Sequence, residues 1–209
     1  YSTPFANTLA KHLHDLCTPD TQIAFLCCPT TFVAFQHQNP LKGARLLEYD
    51  QRFAVLSPGQ FVPYDLDEPE DVPESLKGTV EIAVVDPPFL NEITNAKVAQ
   101  TLRLILHPTR GRLLLLTSTS IEDVIRQVYA EPPLGPLKKA RMEVQHGRLA
   151  NDFACWGTWE GVENWGEKEG EYTHRGEGWR EGDAEGAERT HLSTSGKKSA
   201  LDGKETEKP

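Results

Sequence analysis

The 209-residue sequence predicts an α/β domain built on a mostly parallel sheet, and three of its features say so. Short apolar runs alternate with helix-period segments over the first 160 residues, the order from which β–α–β units are made. The runs are continuously apolar, as in Gln22–Cys28 (QIAFLCC), Thr79–Val85 (TVEIAVV) and Arg112–Leu116 (RLLLL), which is the pattern of strands covered on both faces. The last two candidate strands follow each other without a helix, so the sheet is expected to end in an antiparallel strand.

Taken in order, residues 4–17 place Phe5, Leu9, Leu13 and Leu16 on one helical face, with Pro4 suited to a first turn. Gln22–Cys28 is a buried strand stopped by Pro29. Thr31–Gln38 reads as a helix closed by Asn39-Pro40. Ala44–Tyr49 (ARLLEY) is a second strand and Gln60–Tyr64 a weak third, followed by a Glu/Pro-rich loop at 65–74. Thr79–Val85 ends sharply at Asp86-Pro87-Pro88. Residues 91–106 form a helix with Ile93, Val98, Leu102 and Ile105 on its apolar side. After the strand Arg112–Leu116, Ser120–Tyr129 reads as a helix capped by Ser120, with Asp123 three residues on. Lys139–Gln145 and Asn151–Trp159 are expected to pair around His146-Gly147.

Composition separates this domain, residues 1–160, from a tail at 161–209. The tail holds 12 of the 31 acidic residues and 9 of the 16 glycines, with Val162, Leu192 and Leu201 as its only large aliphatics. It cannot bury enough apolar area to offset ordering entropy and is expected to be disordered. The domain carries 14 basic against 19 acidic residues, which weighs against a nucleic-acid partner and suits a basic protein one. The four cysteines, Cys17, Cys27, Cys28 and Cys155, lack the spacing of a zinc site and read as reduced, inert thiols of a cytoplasmic protein. No stretch is long and apolar enough to cross a membrane. No signal peptide opens the chain, and a further N-terminal part is expected before Tyr1.

In parallel sheets ligands bind beyond the carboxyl ends of the strands. Asp86-Pro87-Pro88-Phe89 falls at such an end. Two prolines fix φ and remove two backbone donors, which leaves rigid carbonyls without adjacent N–H groups. The Asp86 carboxylate and the Pro87 carbonyl can accept hydrogen bonds from an amino group, and Phe89 offers a ring face. An amine held there has its lone pair aimed in one direction, so transfer to it follows largely from positioning.

This turn resembles the Asp-Pro-Pro-aromatic signature of amino-methyltransferases. LLEYDQRFAV, FVPYD, VEIAVVDPPFL and LANDFACW, in that order over residues 1–159, are similar to the eukaryotic elongation factor 1-alpha lysine methyltransferases. The resemblance implies a Rossmann-like class I fold with a seven-stranded sheet, helices on both faces and S-adenosylmethionine as cofactor. It further implies protein-lysine N-methylation of elongation factor 1-alpha, by a monomer. By that resemblance Glu48, at the end of the second strand, holds the ribose hydroxyls, Asp65 after the third reads the adenine amino group, and Asp86–Phe89 receive the substrate amine. Tyr1-Ser2-Thr3-Pro4 resembles a Tyr-x-Thr segment that packs over the cofactor, which brings in Thr3; an N-cap at Ser2 or Thr3 accounts for it too. The first strand departs from the class: its turn, Cys28-Pro29-Thr30-Thr31, has no glycine, and Thr30 or Thr31 is left to face the cofactor.

The signature alone also admits an adenine or other nucleic-acid amino-methyltransferase, and the missing glycine admits a non-catalytic binding module. Against the former stands the acidic charge; against the latter, an intact Asp-Pro-Pro-Phe with acids at both cofactor positions. His12, His14 and His37 lack ligand spacing and read as packed or solvated. Trp156 and Trp159 read as packing, and Asn151 and Phe153 lie where the family's substrate approaches.

Overall fold

The computed structural model describes residues 1–146 and 152–166. The elements run α1 (Thr3–Asp15), β1 (Ile23–Leu26), α2 (Pro29–Gln38), β2 (Ala44–Glu48), β3 (Phe61–Pro63), β4 (Ile82–Val85), α3 (Glu92–Ile105), β5 (Arg112–Ser118), α4 (Glu122–Val128), β6 (Lys138–Lys139) and β7 (Phe153–Gly157). They build a seven-stranded sheet in the order β3-β2-β1-β4-β5-β7-β6. Neighbours from β3 to β5 are parallel, while β7 runs antiparallel to both β5 and β6. The predicted class and the antiparallel end are both present.

Side-chain parity divides the core. Ile23, Phe25, Leu46, Ile82, Val84, Leu114 and Leu116 face α1 and α2. Ala24, Leu26, Leu47, Ala83, Val85, Leu113 and Leu115 face α3 and α4. Both sets are buried, which is why the strands read as unbroken apolar runs. The β3 edge is covered differently. A 3₁₀ turn at Gln51–Leu56 follows β2, and the Glu/Pro-rich loop after β3 is pinned by the buried Tyr64 hydroxyl on Thr101 Oγ1 (2.8 Å), which itself donates to the Pro69 carbonyl (2.7 Å).

Several boundaries differ from expectation. α2 starts at Pro29, because proline at the first helical position loses no hydrogen bond. β4 starts at Ile82; Gly78, with φ of 65°, turns the chain, and Val80 bridges only Leu106. Ile93 is 71% exposed, and α3 buries Thr94, Asn95, Val98, Ala99, Thr101, Leu102 and Ile105 instead. β5 continues through Thr117 and Ser118, polar residues whose backbones pair with β7. Ser120 caps nothing: Ser118 caps a 3₁₀ turn over Thr119–Ile121, and α4 begins after it without a side-chain cap. The first partner of the closing pair shrinks to Lys138–Lys139, since the segment after it leaves the sheet and hydrogen-bonds elsewhere, as from the Gln145 carbonyl to Ser2 N.

Beyond β7, Val162 is fully buried against the α1–α2 side, and the Trp165 ring meets Trp159 edge-on (5.0 Å) and stacks on His12 (5.1 Å). The rest of the expected tail, like Asn151, lies outside the described residues. His14 stacks on Phe35 and its Nε2 bonds the Phe35 carbonyl (2.9 Å), while His37 is exposed. No helix among the described residues is long and apolar enough to cross a membrane, and no group of three or more potential ligands there is placed to hold a metal.

Candidate active site

The parallel ladders continue one residue past the strands and align three of them. Cys27 N donates to the Leu47 carbonyl (3.0 Å), Asp86 N to the Leu26 carbonyl (3.1 Å) and Tyr64 N to the Glu48 carbonyl (3.1 Å). Glu48, Cys27 and Asp86 therefore sit side by side at the carboxyl ends of β2, β1 and β4. Adjacent strands are about 4.8 Å apart, so the two acids flank Cys27 across roughly 10 Å.

Glu48 is held by its own turn. Its Oε1 accepts from Tyr49 N (3.0 Å) and Asp50 N (3.2 Å), and its second oxygen makes no bond among the described residues. The alternative acid, Asp50, is committed to Arg52, with both carboxylate oxygens 2.9 Å from Nε. Asp65 is exposed and accepts from Asp67 N (2.8 Å). With Tyr49, Gln51, Tyr64, Glu68 and Asp71 it lines a cleft of about 440 Å³. A second cavity, of about 580 Å³ and bounded by Glu81, Arg110 and Arg112, lies at the opposite ends of the strands and contains none of the candidate residues.

Asp86 is half-buried and Pro87 buried, while Pro88 and Phe89 are exposed, Phe89 by 61%. Burial raises the Asp86 carboxyl to about 7; the Tyr1 hydroxyl works in the opposite direction, and Glu48 adds to the rise. Burial first and then Asp86 keep the Tyr1 phenol protonated far above neutral pH. The Tyr1 oxygen is buried and, although it faces Asp86, has no hydrogen-bond partner of ordinary geometry. The Tyr1 ring lies 4.4 Å from His146, and His146 lies 4.4 Å from Phe153. The Nε2 of His146 is likewise buried and unpartnered.

The structure thus brings Glu48 and Asp86 together and places Asp65 on the neighbouring cleft. Thr3 stands apart, exposed in the first turn of α1, where Ser2 is the cap (Phe5 N to Ser2 Oγ, 3.3 Å); Tyr1 is the residue of that segment that faces Asp86. Thr30 is exposed in the first turn of α2, whereas Thr31 is fully buried with an unpartnered hydroxyl. The turn after β1 does contain a left-handed residue, but it is Cys27, with φ of 54°. That conformation costs a non-glycine residue about 1–2 kcal/mol. Burial, then Glu48 and Asp86, push its thiol up to about 12, so it stays a thiol. Nothing in the sequence singles out Cys27 or His146, since neither residue type announces its role by spacing.

These groups fit S-adenosylmethionine. Glu48 offers a free carboxylate oxygen for hydroxyl groups, the Asp65 cleft adjoins it, and Cys27 and Asp86 extend the bed toward Tyr1.

The family described as "Probable N6-adenine methyltransferase" matches residues 1–161. A protein-lysine N-methyltransferase of Dictyostelium discoideum is 38% identical over 135 residues, which is 64% of this chain and 61% of that protein. The chain therefore spans about three fifths of that relative's length. EEF1A lysine methyltransferase 1 of Danio rerio is 31% identical over 77% of this chain and 94% of its own length. Among solved structures, TrmN from Thermus thermophilus has a TM-score of 0.50 at 18% identity, covering 75% of this chain and 52% of that one, a likeness of fold.

Proposed function

We propose that this chain, which belongs to the "Probable N6-adenine methyltransferase" family and is similar to EEF1A lysine methyltransferase 1, is an S-adenosylmethionine-dependent protein-lysine N-methyltransferase acting on elongation factor 1-alpha. The observation that carries this reading is the pair of acids flanking Cys27: Glu48 with a free oxygen on one side, and Asp86 opening a rigid Pro-Pro-Phe turn on the other. A reducing compartment such as the cytoplasm fits the four free cysteines, and the chain acts there as a monomer in this reading.

When bound, S-adenosylmethionine supplies a methyl group on a positively charged sulfur, open to in-line attack by an amine. Glu48 anchors the ribose hydroxyls by charge-assisted hydrogen bonds. Asp65 and Tyr49 bound the adenine side, and the Cys27 turn forms the floor between the two acids. Asp86 and the Pro87 carbonyl hold the lysine amine, while the exposed Phe89 ring walls its approach. A lysine arrives protonated, with an ordinary pKa near 10.4, and has to lose a proton before it has a lone pair to offer. The half-buried turn disfavours the ammonium ion, and the nearby sulfonium disfavours it further.

The family description leaves an adenine substrate open. The acidic balance of the domain, 14 basic against 19 acidic residues, speaks for a protein. The test is incubation of the full chain with labelled cofactor and, separately, purified elongation factor 1-alpha, RNA and DNA. Label is expected on a lysine of the protein, and Asp86→Ala is expected to lose it by orders of magnitude. Label on adenine and none on protein would overturn the reading.

A further inference from the structure

We propose that His146 takes the proton from the substrate lysine's ammonium ion, a role that rests on the lysine-methyltransferase reading above. Four side chains meet on the α1 side of the Asp86 turn. Tyr1 directs its hydroxyl at Asp86, His146 lies against the Tyr1 ring at 4.4 Å, and Phe153, the first residue of β7, closes on the far side of His146 edge-on at 4.4 Å. Phe5 packs against the other flank of Tyr1 at 5.2 Å. An imidazole held between two rings is fixed in orientation, and this one is fixed with Nε2 buried and without a partner among the described residues. Buried polar atoms are almost always satisfied in folded proteins, and an orphan imidazole nitrogen on the ring that adjoins Tyr1, near a carboxylate, marks the place of a polar ligand. Under the proposed function that ligand is the amine.

The division of labour follows from charge. Asp86 as a carboxylate holds the ammonium ion but also stabilises it, which opposes its deprotonation. A neutral imidazole accepts a hydrogen bond without that penalty. Among the described residues the side chain facing His146 is Tyr1, with Asp86 beyond it; Phe153 contributes no charge. Burial holds the imidazole below its ordinary value, on the neutral side at pH 7. In the step itself an N–H bond of the ammonium breaks, its electron pair stays on nitrogen as the attacking lone pair, and the proton bonds to Nε2. The ring is half-buried, and the imidazolium returns to neutrality by giving up its other proton, the one on Nδ1, to water.

The experiment compares the wild-type full chain with His146→Gln and His146→Asn in single-turnover methylation of elongation factor 1-alpha between pH 6 and 9.5, with cofactor affinity measured by calorimetry. Both variants are expected to bind cofactor within about twofold of wild type and to react about a hundredfold slower at pH 7. Their rates are expected to climb with pH where the wild type is level, and free imidazole is expected to restore part of the rate in His146→Gly. A variant that keeps the wild-type rate, or that loses the same factor at every pH without rescue, overturns the assignment. Should one variant fail to fold, the other two carry the comparison, and an absence of rescue in a folded His146→Gly stands against the proposal. If the wild type methylates no lysine at all, the proposed function has failed, and His146 with it.

Discussion

Binding of the cofactor is expected to expel a proton from Asp86. The free carboxyl titrates at about 7 because burial, and to a lesser degree Glu48, outweighs the opposing pull of the Tyr1 hydroxyl. A sulfonium brought to the same turn favours the carboxylate and lowers that value. If the bound value falls to about 5, linkage gives a release of roughly half a proton at pH 7 and about 0.8 at pH 6. Affinity then strengthens by up to about tenfold per pH unit between 5 and 7, or about 1.4 kcal/mol per unit, and levels off above. The measurement is titration calorimetry in phosphate and in Tris, whose ionisation heats differ, on the wild type and on Asp86→Asn. Groups of the cofactor itself titrate in both proteins and cancel in the difference. Equal apparent enthalpies in the two buffers for the wild type, or the same release from Asp86→Asn, would show that Asp86 does not sense the cofactor's charge.

Three further outcomes follow from the same geometry. An unfolded Asp86 titrates near 3.9, so the fold favours its protonated form: that contribution is complete below about pH 4 and lost as pH rises through 7. Asp86→Asn is therefore expected to melt higher than wild type at pH 8, by at most about 4 kcal/mol of stability for the three-unit gap, and equally at pH 4; a uniform shift at both pH values would refute this. At the left-handed Cys27, Cys27→Gly is expected to hold or slightly raise the melting temperature, whereas Cys27→Val should cost at least about 2 kcal/mol, because β-branched residues resist that conformation. Ending the chain at residue 160 removes the buried Val162 and the Trp165 contacts and should cost about 2–4 kcal/mol; ending it at 166 should leave the melt unchanged, since the residues beyond are nearly devoid of aliphatic side chains.

The sheet is legible in the sequence because its strands are buried on both faces, and few other environments select an unbroken apolar run. That signal ends before Thr117 and Ser118, whose burial comes from pairing with β7 and not from hydrophobicity. Helical periodicity puts Ile93 on the buried side, but the α3 face turns on Asn95 and Thr101, buried polar residues satisfied by Tyr129 and Pro69. At the site, Asp86–Phe89 and Glu48 are readable from their places at strand ends. Cys27 is not, since the residue that announces a left-handed turn is glycine, and here the surrounding ladder imposes that conformation on a cysteine. His146 reads only as part of a turn, because a ring sandwiched between residues 1 and 153 leaves no trace in local spacing.

The uneven cover of the sheet has a dynamic consequence. β4 lies between two helical layers, so its amides exchange with solvent only when the whole domain opens. β3 is three residues long, at an edge, beneath a 3₁₀ turn and a loop pinned through Tyr64 and Thr101, so it is expected to open locally at far lower cost. Glu48 and Asp65 stand on this softer side and Asp86 on the stiffer one. A molecule spanning them ties the edge to the centre, and at a concentration one hundred times its Kd adds about 2.7 kcal/mol to whatever opening disrupts it. Slower deuterium uptake on binding should therefore concentrate in β3 and the loop behind it, with β4 nearly unchanged. The half of the domain that grips the ligand is the half that needs it to be rigid.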